Sequence, residues 1–220
     1  MASKLQELLH RFVEVMRRRS VYIPTVAAVL ALAVGFTAGY VTPTLREPGN
    51  DSPEAGFARD MSVHHNQAIQ MAMLAYTKGS SVNIRTIGYD IALTQSGQVG
   101  VMGQWLKEWG LLPTGDQPPM AWMPKGSTHL KANDRMPGMA TPEQLDQLQK
   151  ASGKQFDILF CQLMLNHHLG AIHMVDGILA LTDDQEVVEL ATFMKRNQQA
   201  EIDLLHQFLK DLGVKALPPE

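Results

Sequence analysis

The residues best suited to chemistry stand in two closely similar phrases. DMSVHHNQAIQMA covers residues 60–72, and LMLNHHLGAIHMV covers residues 163–175. Both contain Met, two residues, His-His, two residues, Ala-Ile, one residue and Met. Imidazole nitrogens bind zinc, copper, iron and nickel, and thioether sulfur selects for soft Cu(I). The phrases therefore predict a metal site made of His and Met side chains.

Helical geometry determines which of these side chains share a face. Neighbouring residues point about 100° apart, so two adjacent histidines cannot both face one point on a bundle axis. Met61 precedes the first His-His pair by three and four residues, a spacing that places it on the same face. Glu54 and Asp157 each stand seven residues before the first Met of their phrase, and we expect them behind the imidazoles as hydrogen-bond partners. The alternative is a purely structural network in which buried histidines pair with carboxylates.

Four further methionines lie in a segment rich in proline and glycine. MAWM and MPGM each place two thioethers three residues apart, at Met120, Met123, Met136 and Met139. Loop methionines either pack as a lid over an apolar bundle or bind a soft monovalent ion such as Cu(I) or Ag(I). The sequence leaves both interpretations open.

The resemblance between the phrases extends along both halves of the chain. Adding 103 to a residue number between 57 and 110 usually gives a similar residue, as with Phe57 and Phe160 or Gln95 and Gln198. Helical periodicity runs through both copies, with breaks at KGSS (78–81) and TDD (182–184). Thr141 and Pro142 predict the start of one long helix that continues through the second His-His pair to about Leu181. Two repeated helical hairpins joined by a long crossover predict a four-helix bundle.

The N-terminal region predicts a membrane anchor. Residues 21–41 contain no charged side chain, and a helix of that length spans roughly 30 Å, the hydrocarbon thickness of a bilayer. RRR at 17–19 precedes it, which places the N-terminus in the cytoplasm by the positive-inside rule. A cleaved signal peptide and a buried soluble helix are the alternatives. The predicted domains are a cytoplasmic tail (1–20), a transmembrane anchor (21–41), a linker (42–53) and the bundle (54–215), with repeat one at 54–110, the crossover at 111–141 and repeat two at 142–213.

Composition and missing motifs exclude several classes of function. The first 20 residues hold five basic and two acidic side chains, which leaves 14 basic and 20 acidic in the remainder. This acidic remainder argues against nucleic acid as a partner. Neither repeat contains the Glu-x-x-His pair of a ferritin-type di-iron centre or the H-E-x-x-H of a zinc protease. Cys161, the single cysteine, lies in an apolar face and is interpreted as a small buried hydrophobe.

With these motifs in view, the chain resembles the bacterial family known as domain of unknown function 305, over Phe57 to Gly213. FARDMSVHHNQAIQMA, MPGMATPEQLDQLQKASGKQFDILF and MLNHHLGAIHMV carry the resemblance. It implies a ferritin-like four-helix bundle that is exported and, in some members, linked to copper or silver. It brings no established enzyme activity. By matching positions it implies metal-site candidates at Met61, His64, His65, Met71, Met164, His167, His168 and Met174, with Met136 and Met139 of the crossover.

The sequence thus favours a single-pass membrane protein with its bundle outside the cytoplasm, periplasmic or extracellular, and with copper, as Cu(I), as its ion. In this interpretation the protein sequesters, buffers or transfers metal and catalyses nothing. One alternative is a redox enzyme with an open coordination position on its metal. Another is a scaffold whose histidines only hydrogen-bond. The sequence is compatible with a homo-oligomer and identifies no metal-transfer partner.

Overall fold

The chain is all-α, as predicted. The computed structural model describes residues 2–44, 47–124 and 135–217, and in the first helix it describes the side chains of residues 4–17 and 26–36. These residues form six α-helices: α1 Ala2–Thr44, α2 Pro53–Lys78, α3 Val82–Glu108, α4 Pro142–Lys150, α5 Gly153–Leu179 and α6 Gln185–Asp211. Helix α6 begins and ends 103 residues after α3, so the spacing of the sequence repeat is kept in the helices.

Side-chain caps explain where most of these helices begin. Ser52, Ser81 and Asp184 accept hydrogen bonds from backbone N–H groups in the first turns of α2, α3 and α6. Such caps satisfy donors that have no partner inside the helix. Thr141 forms a capping box with Gln144 at the start of α4, which confirms the predicted N-cap.

The helix predicted from Thr141 to about Leu181 is two helices. Helix α4 ends at Lys150, Ala151 is extended, and α5 begins at Gly153 with φ +55. Ser152 and Gly153 account for the break, because glycine adopts positive φ without steric cost and serine favours non-helical backbone. The prediction of one uninterrupted helix was wrong at this point.

The chain divides into two compact units, Met1–Glu47 and Pro48–Glu220. The first is helix α1, and every side chain described in it is exposed within its unit. Val26–Phe36 is an apolar helical stretch, whereas the side chains of residues 21–25 and 37–41 of the predicted anchor lie outside the described set. Among described residues one helix, Gly153–Leu179, matches a membrane span in length and hydropathy. Its apolar window is 61% buried inside the protein, as in a core helix.

The second unit is a helical bundle in which α2 packs against α3 and α5, and α5 packs against α6. Its buried apolar side chains form two clusters. The first, here called the methionine-rich cluster, uses the N-terminal half of α2, the C-terminal halves of α3 and α5, and the N-terminal half of α6. It contains Met61, Met102, Met120, Met123, Met136, Met174 and Met194. The second cluster uses the opposite halves of the same helices and contains Met71, Met164 and the Phe156–Phe160 ring pair.

The crossover is fixed to helix α2 by polar contacts. Asp60 accepts hydrogen bonds from the Met120 backbone N–H at 2.7 Å and from the Trp122 indole N–H at 2.8 Å. Arg59 donates to the Leu112 carbonyl and to the Asn50 carbonyl and side chain. The part of the predicted crossover at residues 125–134 lies outside the described residues.

Candidate functional site

A layer of polar side chains separates the two apolar clusters. Helices α2, α3, α5 and α6 each contribute two members to this layer. Along each helix these two residues stand between the residues that belong to one apolar cluster and those that belong to the other. We call this set the polar layer: His64 and His65 on α2, Gln95 and Gln98 on α3, His167 and His168 on α5, and Gln198 and Glu201 on α6. All but Glu201 are buried. The four histidines of the duplicated phrase therefore lie together in the middle of the bundle.

Adjacent histidines contact different neighbours, as the 100° offset predicts. The rings of His64 and His167 face each other across α2 and α5, with centroids 3.8 Å apart. His65 instead reaches α3, where its Nε2 lies 2.7 Å from the Gln98 side-chain oxygen. His168 reaches α6, where its Nε2 lies 2.6 Å from Glu201 Oε2. The central pair thus joins the two hairpins, and each outer imidazole joins the helices of its own hairpin.

The hydrogen-bond partners fix the tautomers of three imidazoles. His64 Nε2 lies 3.0 Å from the Pro137 carbonyl, which only accepts, so this nitrogen carries the proton and donates it. The Gln98 oxygen and the Glu201 carboxylate likewise accept from His65 and His168. In the neutral ring Nδ1 is then the nitrogen that holds the lone pair, and in all three rings it is buried with no hydrogen-bond partner in the structure. Histidines that bind metals have this arrangement, in which one nitrogen donates to a carboxylate or carbonyl and the other offers its lone pair.

His167 differs from the other three imidazoles. Neither of its ring nitrogens has a well-aligned hydrogen-bond partner, although the backbone of His64 lies close enough to raise its pKa slightly. Gln95 and Gln198, one turn from Gln98 and Glu201, also have side chains with no partner in the structure. Buried polar atoms without partners are rare in stable folds because they have lost their hydration without compensation. Their concentration in one layer indicates a site for binding.

Burial lowers the pKa values of three of the imidazoles. Desolvation lowers the pKa of His64 to about 4, and His168 lowers it further, while the Pro137 carbonyl opposes the shift. Desolvation, with His64 and His168, lowers the pKa of His65 to about 3 against the opposing bond to Gln98. The pKa of His167 falls well below its ordinary value for the same main reason, followed by the other three imidazoles. These three rings are uncharged at neutral pH, which is the state that a metal ligand requires.

The same pKa shifts predict a loss of stability in mild acid. A folded-state pKa below 6.5 means that the unfolded chain binds more protons, so the free energy of unfolding is complete above about pH 6.5 and falls as the pH is lowered. We expect a loss of about 2 kcal/mol at pH 5 for each of these three imidazoles, His64, His65 and His167. Urea unfolding of the metal-free protein between pH 7.5 and pH 5 measures this, because ordinary carboxyl groups titrate mainly below that range. An unfolding free energy that stays constant across this interval contradicts the prediction.

A short segment of the crossover covers the polar layer. In MPGM, at residues 136–139, the Pro137 carbonyl accepts from His64. Gln67 holds the next residue, Ala140, by donating to its carbonyl at 3.1 Å and accepting from its N–H at 2.7 Å. Two glycines permit the close packing. A methyl group on Gly170 would lie 2.0 Å from the Pro137 carbonyl oxygen, and one on Gly138 would lie 2.2 Å from the Asn166 carbonyl oxygen.

The predicted thioethers fall on both sides of the imidazoles. Met61, Met174 and Met136 lie in the methionine-rich cluster, and Met139 packs against it. Met71 and Met164 lie in the second cluster. The described residues contain no group of three or more His, Cys, Asp or Glu side chains spaced to hold a metal. The predicted sulfur atoms therefore lie in both apolar clusters, on either side of the polar layer.

The two acids expected behind the imidazoles lie elsewhere. Asp157 accepts hydrogen bonds from the Ser80 backbone N–H, at 2.9 Å, and from the Ser80 hydroxyl. Glu54 is in the first turn of α2, ten residues before His64. The groups that orient the imidazoles are Gln98, Glu201 and the Pro137 carbonyl, which sequence reasoning missed. The repeat carried a signal for two of them, since Gln98 and Glu201 are themselves 103 residues apart.

Cys161 is not available as a thiolate ligand. Its side chain is fully buried in the second cluster, which confirms the interpretation as a small hydrophobe. Burial, reinforced by Asp157, raises the pKa of its thiol to about 12. The thiol is therefore protonated at neutral pH, and the thiolate is the form that binds metals.

Comparison with known proteins identifies the family. The model of the domain of unknown function DUF305 matches residues 54–209, which include all eight members of the polar layer. The chain belongs to the DUF305 family. No curated protein matches it in sequence.

Solved structures, two of them of DUF305 proteins, are similar to this chain in fold. One is a DUF305 protein from Streptomyces coelicolor that is described as secreted. It is 38% identical to this chain, with a TM-score of 0.71, and the match covers 77% of this chain and 99% of the Streptomyces chain. A DUF305 fragment from Deinococcus radiodurans is 28% identical with a TM-score of 0.58, covering 73% and 95%. CopM in its Cu(II)-bound form is 26% identical with a TM-score of 0.56, covering 73% and 97%.

Proposed function

We propose that this DUF305 protein is a membrane-anchored, extracytoplasmic metal-binding protein that sequesters or transfers copper, as Cu(I), through His and Met side chains. The observation that carries the proposal is the set of three buried imidazoles whose Nε2–H groups are held by acceptors while their Nδ1 lone pairs have no partner. No comparable set is needed for a bundle that only has to stay folded, because an apolar layer would avoid the desolvation cost.

The donor types favour a soft ion. The proposed ligands are Met61, His64, His65, Met71, Met164, His167, His168 and Met174, with Met136 and Met139 from the crossover. Neutral imidazoles and thioethers suit Cu(I) and Ag(I), whereas thioethers contribute little to a zinc or magnesium site. Seven of the eight predicted thioether and imidazole positions in α2 and α5 are at 0% exposure, which also favours an ion that sheds its water easily.

CopM supports the choice of metal. It has been solved in a Cu(II)-bound form and shares 26% identity with this chain across nearly its own full length. We therefore extend copper handling to this protein as a proposal, with the buried imidazoles as the independent structural support.

The proposed architecture places this site outside the cytoplasm. Residues 1–20 would be cytoplasmic, 21–41 the membrane anchor and 42–53 the linker, followed by a ferritin-like four-helix bundle at 54–215. Two features support the anchor: the exposed apolar stretch Val26–Phe36 and the arginines at 17–19 on its N-terminal side. The Streptomyces relative, assigned as secreted, is compatible with this location.

A structural network is the second candidate function, because three of the four histidines do have hydrogen-bond partners. In that case the imidazoles would join helices and the function would reside on the surface of the bundle. His167 and the two unpartnered amides are what this alternative does not explain.

The test is an anaerobic titration of the full-length chain in detergent with Cu(I) against a competing chelator, with Ag(I), Cu(II) and Zn(II) in parallel. We expect stoichiometric binding of Cu(I) and Ag(I) that is at least 100-fold tighter than binding of Zn(II), because of the thioether donors. A folded protein that binds none of the four ions would contradict the proposal and favour the structural network.

A further inference from the structure

The two halves of the polar layer have the same geometry and a different charge. In each half the outer imidazole donates from Nε2 to an acceptor 33 residues further along, at 2.7 Å from His65 to Gln98 and at 2.6 Å from His168 to Glu201. Gln98 and Glu201 occupy equivalent positions of the sequence repeat. Glutamine and glutamate have nearly the same shape, so this substitution between the repeats changes the charge and leaves the hydrogen bond in place.

The single acid is largely buried. The Glu201 side chain is 16% exposed and the His168 side chain is 0% exposed. Among the side chains that the structure describes, Glu201 is the only carboxylate hydrogen-bonded to an imidazole of the polar layer. The remaining members are imidazoles and amides. Glu201 is therefore the one carboxylate among the eight members of the layer, and its surroundings have a low dielectric constant.

One negative charge compensates one positive charge. A monovalent ion bound among these side chains would be neutralised by Glu201, whereas a divalent ion would leave one uncompensated positive charge in the bundle. An uncompensated buried charge is costly, because the protein interior replaces little of the hydration that the ion has lost. A second carboxylate at position 98 would remove that cost for a divalent ion.

We propose that the Gln98–Glu201 pair selects the charge of the bound ion: Glu201 supplies the one negative charge that a monovalent ion needs, and Gln98 withholds the second that a divalent ion needs. This proposal rests on the proposed function, since it concerns the same site. Neither side chain is itself a ligand in it. Each side chain holds an imidazole in place by accepting its hydrogen bond, and each affects the bound ion through its charge or its lack of charge.

The repeat supplies matched variants for the test. Glu201→Gln gives the second half the acceptor that the first half already has, so the bond to His168 can persist while the charge is lost. Gln98→Glu gives the first half the acceptor of the second. The double variant moves the charge from one half to the other and keeps its total. Ag(I) and Zn(II) are suitable probes because neither changes oxidation state, and because the ligand atoms are the same in every variant.

We expect Glu201→Gln to weaken Ag(I) binding by at least about 10-fold, the lower end of the range for groups that orient a metal ligand. We expect Gln98→Glu to raise the affinity for Zn(II) relative to Ag(I) by at least about 10-fold, because a second carboxylate attracts a divalent ion more strongly than a monovalent one. The double variant should return both quantities to within about threefold of the original protein. A purely structural role of the two bonds would not produce this recovery.

The outcomes separate the two proposals. Absence of Ag(I) binding by the unmodified, folded chain would overturn the proposed function itself. Tight Ag(I) binding that Glu201→Gln leaves unchanged would overturn only the charge selection, and so would a Zn(II) to Ag(I) ratio that Gln98→Glu does not alter. If the buried glutamate at position 98 prevents folding, which circular dichroism would reveal, the Glu201→Gln comparison still decides.

Discussion

Leucine at position 167 should abolish tight copper binding and leave the metal-free protein more stable. The centroids of the His167 and His64 rings lie 3.8 Å apart in the centre of the polar layer, so the substitution removes a proposed ligand at the contact between the two hairpins. We expect the Cu(I) affinity to fall by at least about 100-fold, since loss of a group that merely orients a ligand already costs 10-fold to 100-fold. Because neither nitrogen of His167 has an aligned partner, an apolar side chain of similar volume should add about 1 kcal/mol to the free energy of unfolding.

Chelator competition and urea unfolding of the same preparation measure the two effects together. His206→Ala is the control, because His206 is exposed on α6 and both quantities should stay unchanged. The structural network gives no reason for metal binding to change, so the copper affinity is the quantity that separates the two interpretations. A His167→Leu variant that still binds Cu(I) as tightly as the original protein would contradict the metal-site interpretation.

Gly170→Ala should strongly destabilise the protein, although it adds only one methyl group near the site. The added carbon would lie 2.0 Å from the Pro137 carbonyl oxygen and 2.4 Å from its carbonyl carbon, both backbone atoms that cannot rotate away. The MPGM segment must then move from α5, and the hydrogen bond from His64 to the Pro137 carbonyl breaks with it. We expect a loss of about 3 kcal/mol in the free energy of unfolding, the upper part of the usual range for overpacking.

Gly100→Ala is the matched control for this prediction. Gly100 is also inside a helix, and a methyl group there has no atom within 4 Å. Alanine is favoured over glycine in helix interiors, so this variant should gain about 1 kcal/mol. Thermal or urea unfolding of both variants gives the comparison. If Gly170→Ala were as stable as Gly100→Ala, the close contact between MPGM and α5 would have to be discarded.

The sequence was sufficient for most of the fold because the fold is repeated. A constant offset of 103 residues links α3 to α6 residue by residue, and turn signals mark the ends of the helices. The break between α4 and α5 was missed because Ser152 and Gly153 interrupt an otherwise periodic pattern for only two residues. An isolated glycine is tolerated in many helices, so periodicity alone does not decide whether it ends one.

The histidines of the candidate site could be predicted and their partners could not. Helical spacing places His64 and His65 on one helix and relates them to neighbours three and four residues away, but the partners of a buried imidazole lie across the bundle. Asp157 was a reasonable choice by position along the helix, yet its carboxylate caps the turn at Ser80. Gln98 became recognisable as a partner only when the packing of α2 against α3 was known.

The contacts that hold the MPGM segment show how the two hairpins differ. Gln67 holds Ala140 from one side, and Gly170 makes room for Pro137 on the other. These two residues occupy equivalent positions of the repeat. Two identical hairpins would present the same residue on both sides, and so could not hold a single covering segment in this way. The difference at this one position therefore gives each hairpin its own role, and neither could replace the other.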